Sequence, residues 1–478
     1  MKKNKQPIIL KDIIVEDYAA EGKSLAKING KVIFIERVVP GDVVDIQLTK
    51  NKKDWAEAFP IQFKKYANDR KTPFCKHFGV CGGCQWQMLP YKKQLLYKEK
   101  QVADNLSRIG KINLPNMLPI IGADNTKQYR NKVEYTFATK RYVPTPEFNQ
   151  LKKEGLPIVN EGSFAGFHAR GMFDKVVEID ECYLQEEPTN LLRKAIVQFC
   201  IQNSIPMYDV KNHKGWLRNI MIRIATSGEW MANIVVGYDN ETYINALMNE
   251  VLQKFSNITT LLYTINTKLN DSIYDLQPIT FFGKGFIVEK LENYFFIISP
   301  KSFFQTNTKQ AEKLYNVTRD FAELDGTQTV YDLYCGTGSI GIFVSNKAKK
   351  IIGVEAIPQA IDDAKKNATL NNIHHATFFA GDVIKICDDN FFIENGKPDV
   401  IITDPPRAGM HEKLIQKLLE IKAPIIVYVS CNPATQARDL ALLDVAYQVT
   451  KINPVDMFPH THHIENVVQL KLKNNINS

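Results

Sequence analysis

Hydrophobic positions along this chain keep three rhythms in turn. Up to about residue 62, short apolar runs (Ile13-Ile14-Val15, Val32-Ile33-Phe34-Ile35, Val43-Val44-Asp45-Ile46-Gln47-Leu48) alternate with turns such as Val39-Pro40-Gly41-Asp42. Five short strands in that length predict a small OB-like barrel over residues 1–62. Tyr91, Leu95, Val102, Leu106 and Ile109 then recur at helical spacing, with Gly110 placed to cap the C-terminus. Strand-like runs such as Lys132-Val133-Glu134-Tyr135-Thr136-Phe137 and Ile220-Met221-Ile222-Arg223-Ile224 predict a β-rich α+β middle domain, formed by residues 63–90 and 121–297. Residues 298–478 alternate strand and helix regularly, and with 91–120 as a leading helical segment they read as a doubly wound α/β domain of Rossmann type. No internal repeat or low-complexity tract interrupts this order.

Composition narrows the class. With 44% hydrophobic and 23% charged residues, the 478-residue chain is an ordinary globular protein, long enough for two or three cores. Its net charge is +8, and residues 1–71 hold 15 Lys/Arg against 10 Asp/Glu, so much of the excess lies in the barrel. That balance permits nucleic-acid binding. Ile8-Ile9-Leu10 is broken at once by Lys11 and Asp12, too short for a secretory core. No stretch approaches the ~20 apolar residues of a membrane span. A cytoplasmic, monomeric protein without a membrane partner is expected.

Chemistry concentrates where strands of the last domain end. Val330 to Cys335 runs into Gly336-Thr337-Gly338-Ser339-Ile340-Gly341, and the following strand, Ile351 to Val354, ends on Glu355. Glycines admit a ligand close to the backbone, and an acid at that position accepts from both ribose hydroxyls of a nucleotide. Gly381-Asp382 after a third strand puts another acid where an adenine amino group is held, and Asp404-Pro405-Pro406-Arg407 closes a fourth. Together these favour S-adenosylmethionine over a nicotinamide dinucleotide. Enzymes that methylate exocyclic amines place an aromatic after Pro-Pro, and Arg407 in its place disfavours that reaction.

Cys431 closes the fifth apolar run, Ile425 to Ser430, and precedes a helix over Ala434 to Leu443. Arg407 and that helix's N-terminus are expected to favour its thiolate. Before the last strand, His460, His462, His463 and Glu465 form a polar group. Its spacing does not suit zinc, and Glu465 at the rim is a candidate general base.

Cys75, Cys81 and Cys84 lie in one Gly-rich loop, and Cys182 stands far downstream. Four soft thiolates suit zinc or a 4Fe–4S cluster, and three together with one distant cysteine fit the cluster better than two close pairs would. Cys200, Cys335 and Cys387 read as core residues. Tyr129-Arg130-Asn131-Lys132 and Lys214-Gly215-Trp216-Leu217-Arg218 mix cations with aromatics, a pattern suited to phosphate contact and base stacking.

Asp404-Pro405-Pro406-Arg407, Ser430-Cys431-Asn432, the His460–Glu465 segment, the cysteine group and the leading barrel together resemble the iron–sulfur RNA uracil-C5-methyltransferases that act on 23S ribosomal RNA or tRNA. The resemblance covers nearly the whole chain, and the barrel is similar to the TRAM domain, a small RNA-binding module. It implies Cys431 as nucleophile on uracil C6 and Glu465 as the base that removes the C5 proton. It also implies a donor and substrate site at Gln305, Tyr334, Gly336, Ser339, Glu355, Asp382 and Asp404, and a 4Fe–4S cluster on Cys75, Cys81, Cys84 and Cys182. The family often has Asn where Ser339 stands. 23S rRNA is the expected substrate, with tRNA second. A cytosine-C5 enzyme, which carries its thiol in the fourth-strand motif, and a non-catalytic iron–sulfur RNA-binding protein are the competing readings.

Overall fold

The computed structural model describes residues 7–114 and 117–473. The first sheet holds β1 (Ile9–Ile14), β2 (Asp17–Tyr18), β3 (Ser24–Ile28), β4 (Lys31–Ile35), β5 (Val43–Asn51) and β6 (Trp55–Lys65), ordered β1-β5-β6-β4-β3-β2. It has six strands where the apolar runs announce five, because the two-residue β2 is too short to leave a pattern. Alternating side chains of these strands, among them Ala26, Ile33, Ile35, Val44, Ile46 and Ala56, bury one common face together with Val15 just after β1. Three register shifts between β5 and β6 bend the longest pair.

The middle sheet contains β7 (Lys132–Lys140), β8 (Glu161–His168), β9 (Val176–Glu178), β10 (Leu217–Ile224), β11 (Trp230–Val236), β12 (Ile258–Ile265) and β13 (Ile279–Phe282), ordered β13-β12-β11-β10-β7-β8-β9. Only β11 and β12 run parallel, and the helix Glu241–Lys254 makes their crossover. That helix and Thr189–Gln202 cover one face through Ile196, Cys200, Leu247 and Val251. A hairpin of β14 (Ile287–Leu291) and β15 (Tyr294–Ile298) leads on to the helix Thr308–Ala322.

The last sheet is ordered β18-β17-β16-β19-β20-β22-β21, from β16 (Thr329–Leu333), β17 (Lys350–Glu355), β18 (Ala376–Ala380), β19 (Val400–Thr403), β20 (Ile425–Ser430), β21 (Tyr447–Val455) and β22 (Glu465–Leu472). The first five in space are parallel, and β22 enters antiparallel to both β20 and β21. Separate apolar cores cover its two faces, as continuous hydrophobic strands require. Strand order reverses between β16 and β19, the place where such sheets bind ligands.

The helix Tyr91–Arg108 belongs in space to this last domain, with Val102 and Leu106 packed among Ala437, Leu440 and Leu443. Gly110 does not end it in the left-handed conformation; the capping position is Ile109, at φ −87°. A Cβ on Gly110 would lie 2.8 Å from the Leu106 carbonyl and 3.0 Å from that of Ala437, so the glycine serves close helix approach instead. Among the described residues no helix is long and apolar enough to cross a membrane.

Candidate active site

The register of β20 against β22 brings the two proposed reacting side chains together. Their ladder runs from Ile425 opposite Lys471 to Ser430 opposite Asn466. One further step sets Cys431 against Glu465, although 34 positions separate them in the chain. Asp404 follows β19, and its N–H donates to the Leu333 carbonyl at the end of β16 (3.4 Å). The loop from Pro405 to Met410 is clamped to the helix behind Cys431, Pro433–Leu443. There Asn432 Nδ2 and Thr435 Oγ1 donate to the Arg407 carbonyl (3.1 and 3.2 Å), and Met410 N–H donates to Asp439 Oδ2 (2.7 Å). Asn432 also caps the helix, accepting from Ala434 N–H (3.1 Å).

Electrostatics at this rim run against the sequence-based expectation of an acidified thiol. Burial pushes the Cys431 thiol up to about 11, the charges of Glu465 and Asp404 push the same way, and Arg407 opposes them without prevailing. Burial lifts Asp404 to about 7 and raises Glu465 well above the ordinary carboxylate range, Asp404 adding to the latter shift. Each carboxyl is thereby made a stronger proton acceptor once ionised.

The Gly-rich turn after β16 is built tightly. Tyr334 takes φ 62°, Gly336 φ 54° and Gly338 φ 77°. Gly336 N–H donates to Glu355 Oε2 (3.3 Å), and Ile357 N–H donates to Glu355 Oε1 (3.0 Å), so Glu355 braces the turn it faces. Ser339 Oγ lies 3.0 Å from the Tyr315 hydroxyl. The Asp382 side chain caps the helix Val383–Ile386 through Ile384 N–H (3.0 Å). Burial raises the Tyr334 phenol to about 12. Gln305 is buried just before the helix Thr308–Ala322, its carbonyl accepting from Asn131 Nδ2 (2.9 Å). Asp332 escaped the sequence reading although an acid inside the apolar run Val330–Leu333 was its signal. It is buried, accepts from Gly341 N–H (2.8 Å) and is raised to about 7 by burial. Gly341 must lack a side chain, since a Cβ would meet Asp332 Oδ2 at 2.9 Å.

The segment leading to Glu465 is anchored by the N-terminal half of the chain. Lys98 and Asp456 pair at 2.6 Å with neither side chain exposed, and Tyr91 OH and Phe458 N–H also donate to that carboxylate (2.7 and 3.0 Å). His460, at φ 65°, accepts at its carbonyl from Gln85 and Trp86 N–H (2.8 and 3.0 Å), while Gln94 holds both its N–H and its ring. His460 is thus a strut of the loop.

Cys75, Cys81, Cys84 and Cys182 line one cavity of about 570 Å³, with His77, Glu134 and Arg130 on its wall. Burial raises Cys81 to about 11 and Cys84 to about 12, and the thiols push one another further up. A cationic group between them is what such a donor set suits. Among the described residues no three His, Cys, Asp or Glu side chains close on a single ion. Cys200, Cys335 and Cys387 are buried core residues, as their apolar neighbours imply. The Lys214–Arg218 segment is not a nucleic-acid surface. Trp216 and Arg218 are buried, the latter donating to the carbonyls of Asn266, Lys268 and Asn270. Tyr129 is likewise buried, its hydroxyl donating to the Pro459 carbonyl (3.1 Å).

A doubly wound sheet with a ligand turn after β16, joined to a small β-domain, defines an S-adenosylmethionine-dependent methyltransferase with an RNA-binding module. Comparison with known proteins agrees. Residues 279–473 match the family described as tRNA (uracil-5-)-methyltransferase, and residues 11–59 match the TRAM domain. An uncharacterized RNA methyltransferase of Bacteroides thetaiotaomicron is 49% identical over 95% of this chain and 100% of its own length. One from Chlorobaculum tepidum is 37% identical over 95% of each. The Pyrococcus abyssi tRNA (uracil-54, C5)-methyltransferase, solved with S-adenosyl-L-homocysteine, superposes with a TM-score of 0.73 at 25% identity, covering 96% of this chain and 100% of that one. The chain belongs to the RNA methyltransferase family of these relatives, and its residues 279–473 carry the tRNA (uracil-5-)-methyltransferase domain.

Proposed function

We propose that this enzyme methylates C5 of a uridine in 23S ribosomal RNA, with Cys431 as nucleophile and Glu465 as general base. The observation that carries the proposal is that the β20–β22 ladder ends with Ser430 opposite Asn466, leaving Cys431 and Glu465 next on the two strands and near enough for the Glu465 charge to push the thiol up. The Cys431 thiol loses its proton to solvent, its sulfur bonds to C6, and the C5–C6 π pair moves toward C5 and the adjoining carbonyl, which makes C5 nucleophilic as an enolate. S-adenosylmethionine supplies the methyl group, and Gln305, Tyr334, Gly336, Ser339, Glu355, Asp382 and Asp404 hold the donor and the base. Glu465 then takes the C5 proton, the C5–C6 double bond reforms, and the carbon–sulfur bond breaks to return the thiolate. Arg407 supports charge on the uracil carbonyl edge. Stacking blocks both carbons in duplex RNA, so the target nucleotide is flipped out.

The four cysteines around the 570 Å³ cavity fit a 4Fe–4S cluster by the chemistry of the donor set, all soft thiols spread around a void. Its role is to order the loop that carries Gln85 and Trp86 to the rim. The barrel with this loop supports ribosomal RNA as substrate; similarity to a tRNA enzyme along the whole chain supports tRNA as the second reading. Nucleoside mass spectrometry on separated 23S rRNA and tRNA, from cells with and without the gene, tests both. Loss of 5-methyluridine from 23S rRNA is expected, loss from tRNA alone moves the substrate, and loss from neither refutes the assignment.

A further inference from the structure

Gln436 lies in the first turn of the helix Pro433–Leu443 and is fully buried. Its Nε2 donates to the Tyr428 carbonyl of β20 (2.9 Å) and to the Asn466 carbonyl of β22 (3.2 Å). Its Oε1 accepts from Asn466 Nδ2 (2.8 Å). One amide therefore ties β20, which leads directly to Cys431, to β22, which begins at Glu465. Cys431 is held independently, since Asn432 N–H donates to Ser430 Oγ (3.1 Å) and Asn432 caps the helix.

We propose that Gln436 is a positioning residue for the second half of the reaction, fixing Glu465 through Asn466 while leaving Cys431 in place. The inference rests on the uridine-methylating reading. After methyl transfer C5 carries both the new methyl and its hydrogen. Only when the Glu465 carboxylate takes that proton do the C–H electrons form the double bond and expel the sulfur from C6. A displaced Glu465 stalls the enzyme as a methylated, covalently bound RNA complex. Neither attack by sulfur nor methyl transfer needs the base.

The test is Gln436→Met, which keeps the side chain's length and removes both amide functions. Turnover on uridine RNA should fall about 10²-fold, the cost of misplacing a reacting group by about 1 Å. KM for RNA should hold, and a denaturation-resistant complex containing donor methyl should accumulate. With 5-fluorouridine RNA, whose C5 fluorine cannot leave as a proton does, complex formation should keep the wild-type rate. If turnover and complex formation fall together, or neither changes, Gln436 does not act through Glu465. Should Gln436→Met fail to fold, Asn466→Ala, which removes the Oε1 contact alone, must show the same split in milder form. Wild-type enzyme that forms no complex with 5-fluorouridine RNA would sink the underlying reading instead.

Discussion

Lys98 and Asp456 share a 2.6 Å ion pair from which solvent is absent on both sides, and Asp456→Asn removes its negative charge at almost constant shape. Asparagine's single side-chain oxygen still accepts from Phe458 N–H, its amide nitrogen faces the Tyr91 hydroxyl in place of the second carboxylate oxygen, and Lys98 keeps the Phe458 carbonyl at 3.1 Å. The loss is therefore that of an unpaired buried charge, at the lower end of the range for breaking such pairs, about 3 kcal/mol, or roughly 10²-fold in the folding equilibrium. Its pH dependence has a definite sign. Burial already depresses Lys98 below its ordinary value, and the Asp456 charge is what opposes that depression. Without it the folded-state pKa falls further below the unfolded value of about 10.4. A lysine depressed in this way destabilises fully below its folded pKa, and the penalty fades as pH rises toward about 10.4. Urea unfolding at about pH 7 and pH 9.5, followed by tryptophan fluorescence, measures both terms. Trp86, 5.9 Å from Lys98 Nζ, reports locally. A deficit under about 1 kcal/mol, or one that grows with pH, refutes the reasoning.

Because the Cys431 thiol sits near 11, its thiolate fraction rises tenfold per pH unit, so log rate of complex formation with 5-fluorouridine RNA should climb with a slope of about one between about pH 6 and 9. A flat profile would contradict this, and Arg407→Gln, which removes the cation opposing the shift, should lower the rate throughout. Gly110→Val should cost about 1–3 kcal/mol in chemical denaturation by forcing apart the helices that Leu106 and Ala437 occupy; a neutral result would mean the contact relaxes freely. Cys182→Ser should strip iron from anaerobically purified protein as fully as Cys81→Ser does, measured by metal content and visible absorbance. Full iron retention in either variant removes that residue from the ligand set.

The motifs after each strand of the last sheet were legible because strand ends in a doubly wound sheet share one rim whatever the intervening helices do. The placement of Cys431 and Glu465 at this rim follows from the same logic, but their environment does not. Whether a thiol beside an arginine is acidified depends on how much water the fold removes, and β22 closes over it carrying a buried carboxylate. Trp216 and Arg218 misled for a related reason. A cation between aromatics has the same local composition whether it faces RNA or backbone carbonyls, and at the start of β10 both Trp216 and Arg218 are buried. Gly110 looked like a helix terminator because close approach to Ala437 is a contact across more than 300 positions, which no local pattern records. Gln436 had no sequence signal at all, since a glutamine in a helix is ordinarily solvated.

The anchoring of the Asp456–Glu465 segment by residues 85–98 also sets an order of events during synthesis. Tyr91 and Asp456, joined by one hydrogen bond, are 365 positions apart. Chains emerge N-terminus first at about 5–20 residues per second, so the helix bearing Gln94 and Lys98 waits tens of seconds for the loop it holds. Throughout that interval Lys98 lacks Asp456, and Val102 and Leu106 lack the Ala437, Leu440 and Leu443 they pack among. Cys431 and Glu465 meet only when β22 inserts beside β20, among the last strands to be made. A nascent chain can therefore carry a finished RNA-binding module well before it carries a working catalyst.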